Sequence, residues 1–156
     1  MDISINDRLA IQDLVCKYNF ACDTGDAAAL AKLFTEDALF QEGSADDPYI
    51  IDARGPREIF EKAHVGMREI AVQFAKHITT SHFLYEEGGE LRGKCYLMFV
   101  SSFGQICNTG TYYDRYEKQG GDWLFASRRC VIDGSKEQFQ ASIANFLKTI
   151  QQHELA

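Results

Sequence analysis

The sequence predicts an α+β fold, namely a cone-shaped α+β barrel in which three N-terminal helices pack on a strongly curved, mostly antiparallel sheet, followed by a C-terminal helix. Two observations support this prediction. Apolar residues recur about every 3.6 positions over roughly the first 75 residues, which is typical of helices. From His77 onward the period changes to about 2, as in strands, until a final helical segment. A twisted sheet that curls around the helices would enclose an apolar pocket.

Length and composition limit the class of protein. The chain has 156 residues, which fits one domain over residues 1–156 with residues 134–156 as a helical extension. A net charge of −7 argues against nucleic acid or an anionic membrane as a partner, since both attract basic surfaces. No apolar run approaches about 18 residues and no signal-peptide pattern opens the chain, so we expect a cytoplasmic protein. The five cysteines are scattered and are expected to be reduced.

The first helix is predicted by one apolar stripe and by its two ends. The members of the stripe lie three and four positions apart, and they are Ile11, Leu14, Val15, Tyr18 and Cys22. Ser4, with Asp7 three residues later, provides a capping-box start. Gly25 suits the left-handed backbone that commonly ends a helix.

Three shorter elements are predicted before the main strands. Asp26 can cap a second helix, whose inward residues are Leu30, Leu33 and Phe34. A strand at Ala38–Glu42 and a polar loop at Gly43–Asp52 follow. A third helix opens at Gly55–Pro56, because a proline in the first turn gives up no hydrogen bond. Its expected buried face consists of Ile59, Phe60, Ala63, Met67, Ile70 and Phe74.

Two hairpins are predicted after residue 77. The segments Ile78–Glu87 and Leu91–Phe103 are rich in aromatic and β-branched residues and flank a Gly-Gly pair. The segments Asn108–Lys118 and Trp123–Asp133 form a second pair around another Gly-Gly turn. The paired segments indicate an antiparallel meander.

The last segment, Ser135–Gln152, returns to a helical period. Its apolar side is formed by Phe139, Ile143, Phe146, Leu147 and Ile150. This helix either covers the mouth of the cone or contacts a neighbouring chain, and the sequence leaves both placements open.

Three stretches of the chain carry a family pattern. They lie at Ile11–Phe34, which contains Tyr18 and the run Asp23-Thr-Gly-Asp, at Thr80–Phe83, and between Gly110 and Arg128. This pattern resembles the SnoaL-like branch of the nuclear transport factor 2-like superfamily, which implies the cone-shaped fold. Within that branch it is most similar to scytalone dehydratase, bile acid 7α-dehydratase and hexachlorocyclohexane dehydrochlorinase, which are lyases. The same fold also hosts isomerases, cyclases, epoxide hydrolases and scaffolds.

The resemblance implies a site that pairs an aspartate at the end of the first helix with a histidine on the sheet. The matching positions are Asp23 and His82. Asp23 is also unusual by itself, because the helix macrodipole disfavours a carboxylate at this end by roughly 0.3–1 kcal/mol. A nearby histidine would compensate for that cost. A simple turn at Asp23–Asp26 is the alternative.

His82 is the expected base. If Thr80, His82 and Leu84 face the interior, the imidazole points into the pocket, where it can take a proton from carbon or oxygen and return it to a leaving group. Asp23 would fix its tautomer and stabilise the imidazolium. A core histidine bonded to a backbone carbonyl is the alternative.

Two more side chains are expected to take part in catalysis. Tyr18 lies on the inward stripe, and its phenol could polarise a carbonyl or assist a departing hydroxyl. Arg128 follows Trp123 at the spacing that the family shows, and in the dehydrochlorinase a basic residue near this position helps a departing chloride, so the resemblance implies a similar role for Arg128. Strict alternation from Trp123 puts Arg128 on the opposite face, and a single bulge would reverse that. Packing for Tyr18 and an exposed position for Arg128 stay open.

The expected pocket wall is mostly aromatic. Its members are Tyr49, Phe40, Phe60, Cys95, Phe99 and Tyr112. Cys95 stands where scytalone dehydratase carries a second pocket histidine, and His77 is expected at the pocket rim or at a solvated helix end. The four histidines lack metal-binding spacing, and no nucleotide-binding or serine-hydrolase motif occurs. We therefore expect no metal and no cofactor.

The leading interpretation is a cofactor-independent lyase that carries out a dehydratase-like elimination on a small hydrophobic cyclic substrate. His82 acts as the base, Asp23 supports it, and Tyr18 or Arg128 attends the leaving hydroxyl or halide. One alternative is a proton-shuttling enzyme like ketosteroid isomerase or a polyketide cyclase. Another is a non-catalytic ligand-binding or assembly domain, such as the β subunit of a ring-hydroxylating dioxygenase. The superfamily also implies a homodimer or homotrimer.

Overall fold

The computed structural model describes residues 3–64 and 75–154 of the chain. In this part of the chain, helices pack on one curved, unclosed six-stranded sheet, which confirms the α+β prediction. The helices are α1 (Ile5–Thr24), α2 (Ala27–Ala31), α3 (Gly55–Ile59), which continues into a π-helical turn at Phe60–His64, and α4 (Lys136–Glu154). The strands are β1 (Phe34–Ser44), β2 (Ile51–Arg54), β3 (Ala75–Glu87), β4 (Glu90–Ser101), β5 (Ile106–Gln119) and β6 (Asp122–Ile132).

The sheet has the strand order β2-β1-β6-β5-β4-β3. Neighbouring strands are antiparallel except β1 and β6, which run parallel, with Leu39 opposite Ser127 and Ser44 opposite Ile132. The meander from β3 to β6 agrees with the two predicted hairpins. The last strand, β6, returns to pair with the first, β1. The sheet therefore has β2 and β3 as its edges, and its inner face surrounds α1.

The two ends of α1 form as their residues predict. The Ser4 hydroxyl accepts a hydrogen bond from the Asp7 backbone N–H at 3.1 Å, and Gly25 ends the helix with a φ of 66°. Asp7 also accepts hydrogen bonds from Lys118 Nζ at 2.8 Å and Trp123 Nε1 at 2.7 Å. These bonds attach the start of the helix to the β5–β6 hairpin. They also lower the pKa of Asp7, with the hydrogen bond from Lys118 as the largest cause.

Three element boundaries differ from the prediction. Strand β1 is longer than predicted. Strand β2 begins inside the predicted loop Gly43–Asp52 and continues two residues past its end. This four-residue edge strand was missed because only Ile51 and Ala53 of it face inward. Strand β3 begins at Ala75, so His77 lies inside the strand rather than before it. Part of the expected buried face of the third helix, namely Met67, Ile70 and Phe74, lies outside the described residues.

Bulges in β3 and β6 change which side chains face inward. In β3, Ser81 has a φ of 57° and the pairing with β4 shifts between Thr80 and Phe83. His77 therefore faces inward before the bulge and His82 faces inward after it, although the two histidines lie five positions apart. Thr80 is exposed, which corrects the expectation that it faces the interior with His82.

The bulge in β6 settles the orientation of Arg128. Arg115 of β5 lies opposite Ser127, and Tyr116 lies opposite Phe125, so Ala126 is the extra residue. Odd-numbered residues face inward before this bulge and even-numbered residues face inward after it, so Arg128 is fully buried. Arg128 therefore lies on the inner face together with Phe125, and the alternative of a solvent-exposed arginine is excluded.

Apolar side chains fill the space between α1 and the sheet. The first helix contributes the whole predicted stripe, together with Ala21. A second cluster forms where α4 packs on the sheet, with Phe146 and Ile150 against Ala75, Phe99 and Cys107. No helix in residues 3–64 or 75–154 is long and apolar enough to span a membrane.

Candidate active site

A cavity lies inside the cone, between α1, the inner face of the sheet and α4. Its free volume is about 70 Å³, several times the roughly 10–15 Å³ that one water needs. The apolar part of its wall consists of Ala21, Gly25, Leu30, Phe60, Ala63, Leu97, Phe99, Ile132, Phe139 and Ile143. The lining residues with polar side chains are Tyr18, Cys22, Glu42, His77, Asn108 and Tyr112. Helix α4 therefore helps to enclose the cavity of its own chain.

His77, which lines this wall, forms a hydrogen-bonded pair with Asp23. Nδ1 of His77 lies 2.7 Å from Oδ1 of Asp23. The backbone N–H of His77 also donates to Asp23, at 3.0 Å to Oδ1 and 3.2 Å to Oδ2. Asp23 is buried, and the ring of His77 lies against Phe99 with 5.0 Å between ring centroids. The carboxylate is thus held by both the backbone and the side chain of one residue.

This pair supplies the compensation that a carboxylate at a helix C-terminus requires. Asp23 lies in the last turn of α1, where the helix dipole is unfavourable for negative charge. The two N–H groups of His77 donate to it from β3. One turn earlier, Nδ2 of Asn19 donates to Oγ1 of Thr79 at 2.8 Å. Helix α1 is therefore attached to β3 at two successive inward positions of the strand.

The geometry fixes which nitrogen of His77 is available for chemistry. A carboxylate only accepts hydrogen bonds, so the ring donates its Nδ1–H to Asp23. Nε2 then carries the lone pair, and it has no hydrogen-bond partner within the described part of the chain. An imidazole oriented in this way by a carboxylate can accept a proton from a substrate in the cavity.

His82 is not the partner of Asp23, which corrects the expected pairing. Its Nε2 lies 3.0 Å from the Tyr116 hydroxyl, and this hydroxyl donates to Oδ2 of Asp114 at 2.9 Å. Because the hydroxyl proton is used for Asp114, Nε2 of His82 must carry a hydrogen and donate it. Burial is the largest cause that lowers the pKa of His82. His82 is absent from the cavity wall and stands at one end of a hydrogen-bond chain.

Arg128 stands at the other end of that chain. Its Nε and Nη2 donate to the two carboxylate oxygens of Asp114, each at 2.9 Å. The guanidinium carbon lies 4.1 Å from the ring centroids of Tyr18 and Tyr112 and 4.2 Å from that of Phe125. Arg128 is fully buried and does not reach the cavity wall. The rings of Tyr18 and Tyr112 stand between its charge and the cavity.

The other expected pocket residues divide into two groups. Phe60, Phe99 and Tyr112 line the cavity, as does Tyr18. Phe40 and Cys95 are buried in the core outside the cavity wall, and Tyr49 is 58% exposed to solvent. Tyr49 lies beyond β1 in a polar segment, which explains its exposure.

Sequence reasoning missed two polar side chains of the cavity, Glu42 and Asn108. For Glu42 a signal existed, because Ala38 and Phe40 alternate with it and both face inward on β1. An acid that continues an apolar alternation is expected on the buried face. For Asn108 the sequence offered no comparable signal. Within residues 3–64 and 75–154, no group of three or more His, Cys, Asp or Glu side chains could hold a metal ion.

Comparisons with known proteins agree with this architecture. A family model described as a SnoaL-like domain matches residues 4–129. No curated protein matches the sequence.

Three solved structures illustrate the likeness. A Nostoc punctiforme protein of unknown function with a cystatin-like fold is 19% identical, with 86% of this chain and 97% of that chain covered and a TM-score of 0.74. A Novosphingobium aromaticivorans protein provisionally assigned as the β subunit of an aromatic-ring-hydroxylating dioxygenase is 19% identical, with 86% and 94% covered and a TM-score of 0.69. Another from that organism, provisionally assigned as a scytalone dehydratase, is 17% identical, with 82% and 85% covered and a TM-score of 0.64. Likeness at this level shows the fold alone.

Proposed function

The chain belongs to the SnoaL-like domain family, and from this premise we propose that it is a cofactor-independent lyase that acts on a small hydrophobic cyclic molecule. The proposal rests on one observation, the contact of 2.7 Å between Asp23 and His77 at the wall of an apolar cavity. In an elimination, a base removes a proton from one carbon while a group leaves the next. His77 is placed to be that base.

Each member of the pair has a separate task. Nε2 of His77 accepts the proton from carbon, and the ring becomes a cation. Asp23 holds the ring by Nδ1 and stabilises this cation, because the charges lie within one hydrogen bond of each other. The largely apolar wall strengthens this interaction by excluding water. The proposal therefore keeps the expected aspartate and replaces His82 by His77 as the base.

Neutral hydrogen-bond donors surround the place where a substrate would lie. Burial raises the pKa of Tyr18 and Tyr112 well above that of an exposed phenol, so both keep their hydroxyl protons at neutral pH. With the amide of Asn108, these groups can bind a substrate carbonyl and stabilise the negative charge that develops on its oxygen. A carbonyl next to the carbon that loses the proton would make that proton acidic enough for an imidazole.

The size of the cavity limits the substrate. Its volume of about 70 Å³ is roughly half of the 150 Å³ cavity that holds benzene in an engineered protein. A ring would therefore require movement of the wall, and the half-buried side chains of Phe139 and Ile143 on α4 are best placed to move. A substrate of one ring is supported better than a large polycyclic one.

Replacement of the two sheet histidines tests the proposal. With 3-hydroxycyclohexanone and 3-chlorocyclohexanone as probes, His77→Gln should lower turnover of both by about 10²-fold or more, because a general base is removed. His82→Gln is the matched comparison, and we expect it to lose less than about tenfold. The product, cyclohexenone, is followed by its ultraviolet absorbance, with the spontaneous rate subtracted. Full activity of His77→Gln together with inactivity of His82→Gln would reverse the assignment.

The proposal also covers the compartment in which the protein works and its association with copies of itself. We propose that the protein works in the cytoplasm, supported by its five cysteines, all of which are free thiols.

We further propose that copies of the chain associate through the outer face of the sheet. An outer aromatic patch (Phe83, Tyr85, Tyr96 and Tyr113) supports this, since three of its members are 44–59% exposed.

A further inference from the structure

Glu42 is a carboxyl group on the apolar inner face of β1. It continues the inward alternation of Ala38 and Phe40, and it lies opposite Ile51 of β2 and Cys130 of β6. Its side chain forms part of the wall of the cavity that His77 also lines. Base and carboxyl group thus reach one cavity from two different strands, β3 and β1.

Nothing in the described part of the chain neutralises this carboxyl group. Glu42 has no hydrogen bond or ion pair with any residue in 3–64 or 75–154. The other titratable side chains of the cavity wall are Tyr18 and Cys22 of α1, His77 of β3 and Tyr112 of β5, and Cys130 of β6 lies opposite Glu42. Burial raises the pKa of Cys22 to about 12 and that of Cys130 well above its usual value, so both thiols are uncharged.

The carboxyl group therefore keeps its proton to an unusually high pH. Burial alone raises the pKa of Glu42 to about 7. A structural role does not account for such a group, because an acid that has no partner among the described residues stabilises none of them. A carboxyl group that is protonated near neutral pH is suited to donate a proton.

We propose that Glu42 is the general acid that protonates a leaving hydroxyl group, so that the elimination catalysed in this cavity is a dehydration. This inference rests on the proposed lyase function and names its leaving group. In the reaction, Nε2 of His77 takes a proton from carbon, and the electrons of that C–H bond form the C=C bond. The C–O bond breaks, its electrons stay on oxygen, and the Glu42 proton converts the departing hydroxide to water.

The catalyst returns to its starting state without another reactant. After water leaves, His77 carries one extra proton and Glu42 lacks one. Transfer of that proton from the imidazolium to the carboxylate, directly or through a water in the cavity, restores both groups. The overall change is substrate to alkene plus water, with no oxidant or reductant.

The same carboxyl group would not help a halide to leave. A halide departs as a stable anion and needs no proton, whereas hydroxide is a poor leaving group without one. An ionised Glu42 in the same cavity would also repel a departing anion. The leaving group therefore distinguishes the role of Glu42 from that of His77, which both reactions require.

The experiment compares Glu42→Gln with wild type on the hydroxy and chloro ketones named above. We expect Glu42→Gln to lose about 10²-fold or more of the turnover of 3-hydroxycyclohexanone and to keep that of 3-chlorocyclohexanone within about threefold. Turnover of the hydroxy ketone by wild type should fall as pH rises through about 7, because Glu42 then gives up its proton. Glu36→Gln is the matched control, since Glu36 is an exposed acid on the same strand.

A second readout does not depend on activity. In protein labelled with carbon-13 at the glutamate carboxyl groups, one NMR signal should titrate near pH 7 and be absent from Glu42→Gln. A Glu42 signal that titrates near 4.5, or equal losses on both ketones, would overturn the role of Glu42 and leave the lyase proposal intact. Wild type that turns over neither ketone would overturn the elimination itself, and the role of Glu42 with it.

Discussion

At the scale of single residues, Arg128 shows how the interior of the cone holds a charge. Its guanidinium is fully buried, and three aromatic rings and one carboxylate surround it. Such a charge is tolerated only where a well-oriented partner replaces the lost water. Asp114 is that partner, and Tyr116 and His82 hold Asp114 in place. We interpret His82 as a positioning residue for this buried pair.

Removal of Asp114 should therefore destabilise the protein strongly. Asp114→Ala leaves the buried guanidinium without its counter-charge, and we expect a loss of about 3–5 kcal/mol in the free energy of unfolding. Urea denaturation followed by circular dichroism measures the loss. The double variant Arg128→Met with Asp114→Leu is the control, because it removes both charges and should lose much less. A loss below about 1 kcal/mol in Asp114→Ala would contradict the role assigned to the pair.

At the scale of elements, the bulge at Ser81 decides which histidines reach the interior. His77 and His82 lie five positions apart, and this spacing is odd, so a regular strand could present only one of them inward. The strands and both hairpins could be predicted from period and turn residues, because these signals are local. The bulge could not, since it depends on how β3 pairs with β4. The sequence and the resemblance therefore predicted a sheet histidine as the partner of Asp23 but named His82, whereas the structure pairs Asp23 with His77.

Deletion of Ser81 tests the importance of the bulge. Without this residue the strand returns to strict alternation, so either His77 or His82 has to leave the inner face. If His82 turns outward, we expect its lowered pKa to return toward 6.5 in an NMR titration, and if His77 turns outward, we expect its hydrogen bond to Asp23 to be lost. Ser81→Gly is the control, because glycine adopts the φ of 57° without strain. A deletion variant in which the pKa of His82 stays lowered and the hydrogen bond between His77 and Asp23 persists would show that the bulge is dispensable.

At the scale of the whole molecule, the outer face of the sheet exposes a group of aromatic side chains, which includes Phe83, Tyr96 and Tyr113. Phe83 of β3, Lys94 of β4 and Tyr113 of β5 form one row across three strands. Lys94 Nζ lies 5.8 Å from the ring centroid of Phe83 and 5.9 Å from that of Tyr85. Aromatic side chains with a stacked cation are typical of the centre of protein interfaces.

A charge placed in the outer aromatic patch should separate associated copies. Tyr96→Asp buries a carboxylate against aromatic rings if copies pair there, and we expect the dissociation constant to rise by about 30-fold or more. Sedimentation in the analytical ultracentrifuge measures this constant. Tyr49→Asp is the matched control, because Tyr49 is 58% exposed, close to the 59% of Tyr96, but lies off the sheet face. Wild type that sediments as a monomer at every concentration would refute the association.

The parallel pairing of β1 with β6 also governs how the protein reaches this shape. The paired residues are separated by roughly 90 positions along the chain, and closing so long a loop costs entropy before any contact repays it. As the polypeptide leaves the ribosome, the inward side chains of β1 emerge long before the strand that will cover their flank. Folding is therefore expected to be completed only after synthesis of β6, and until then the nascent chain exposes an unpaired apolar edge to chaperones.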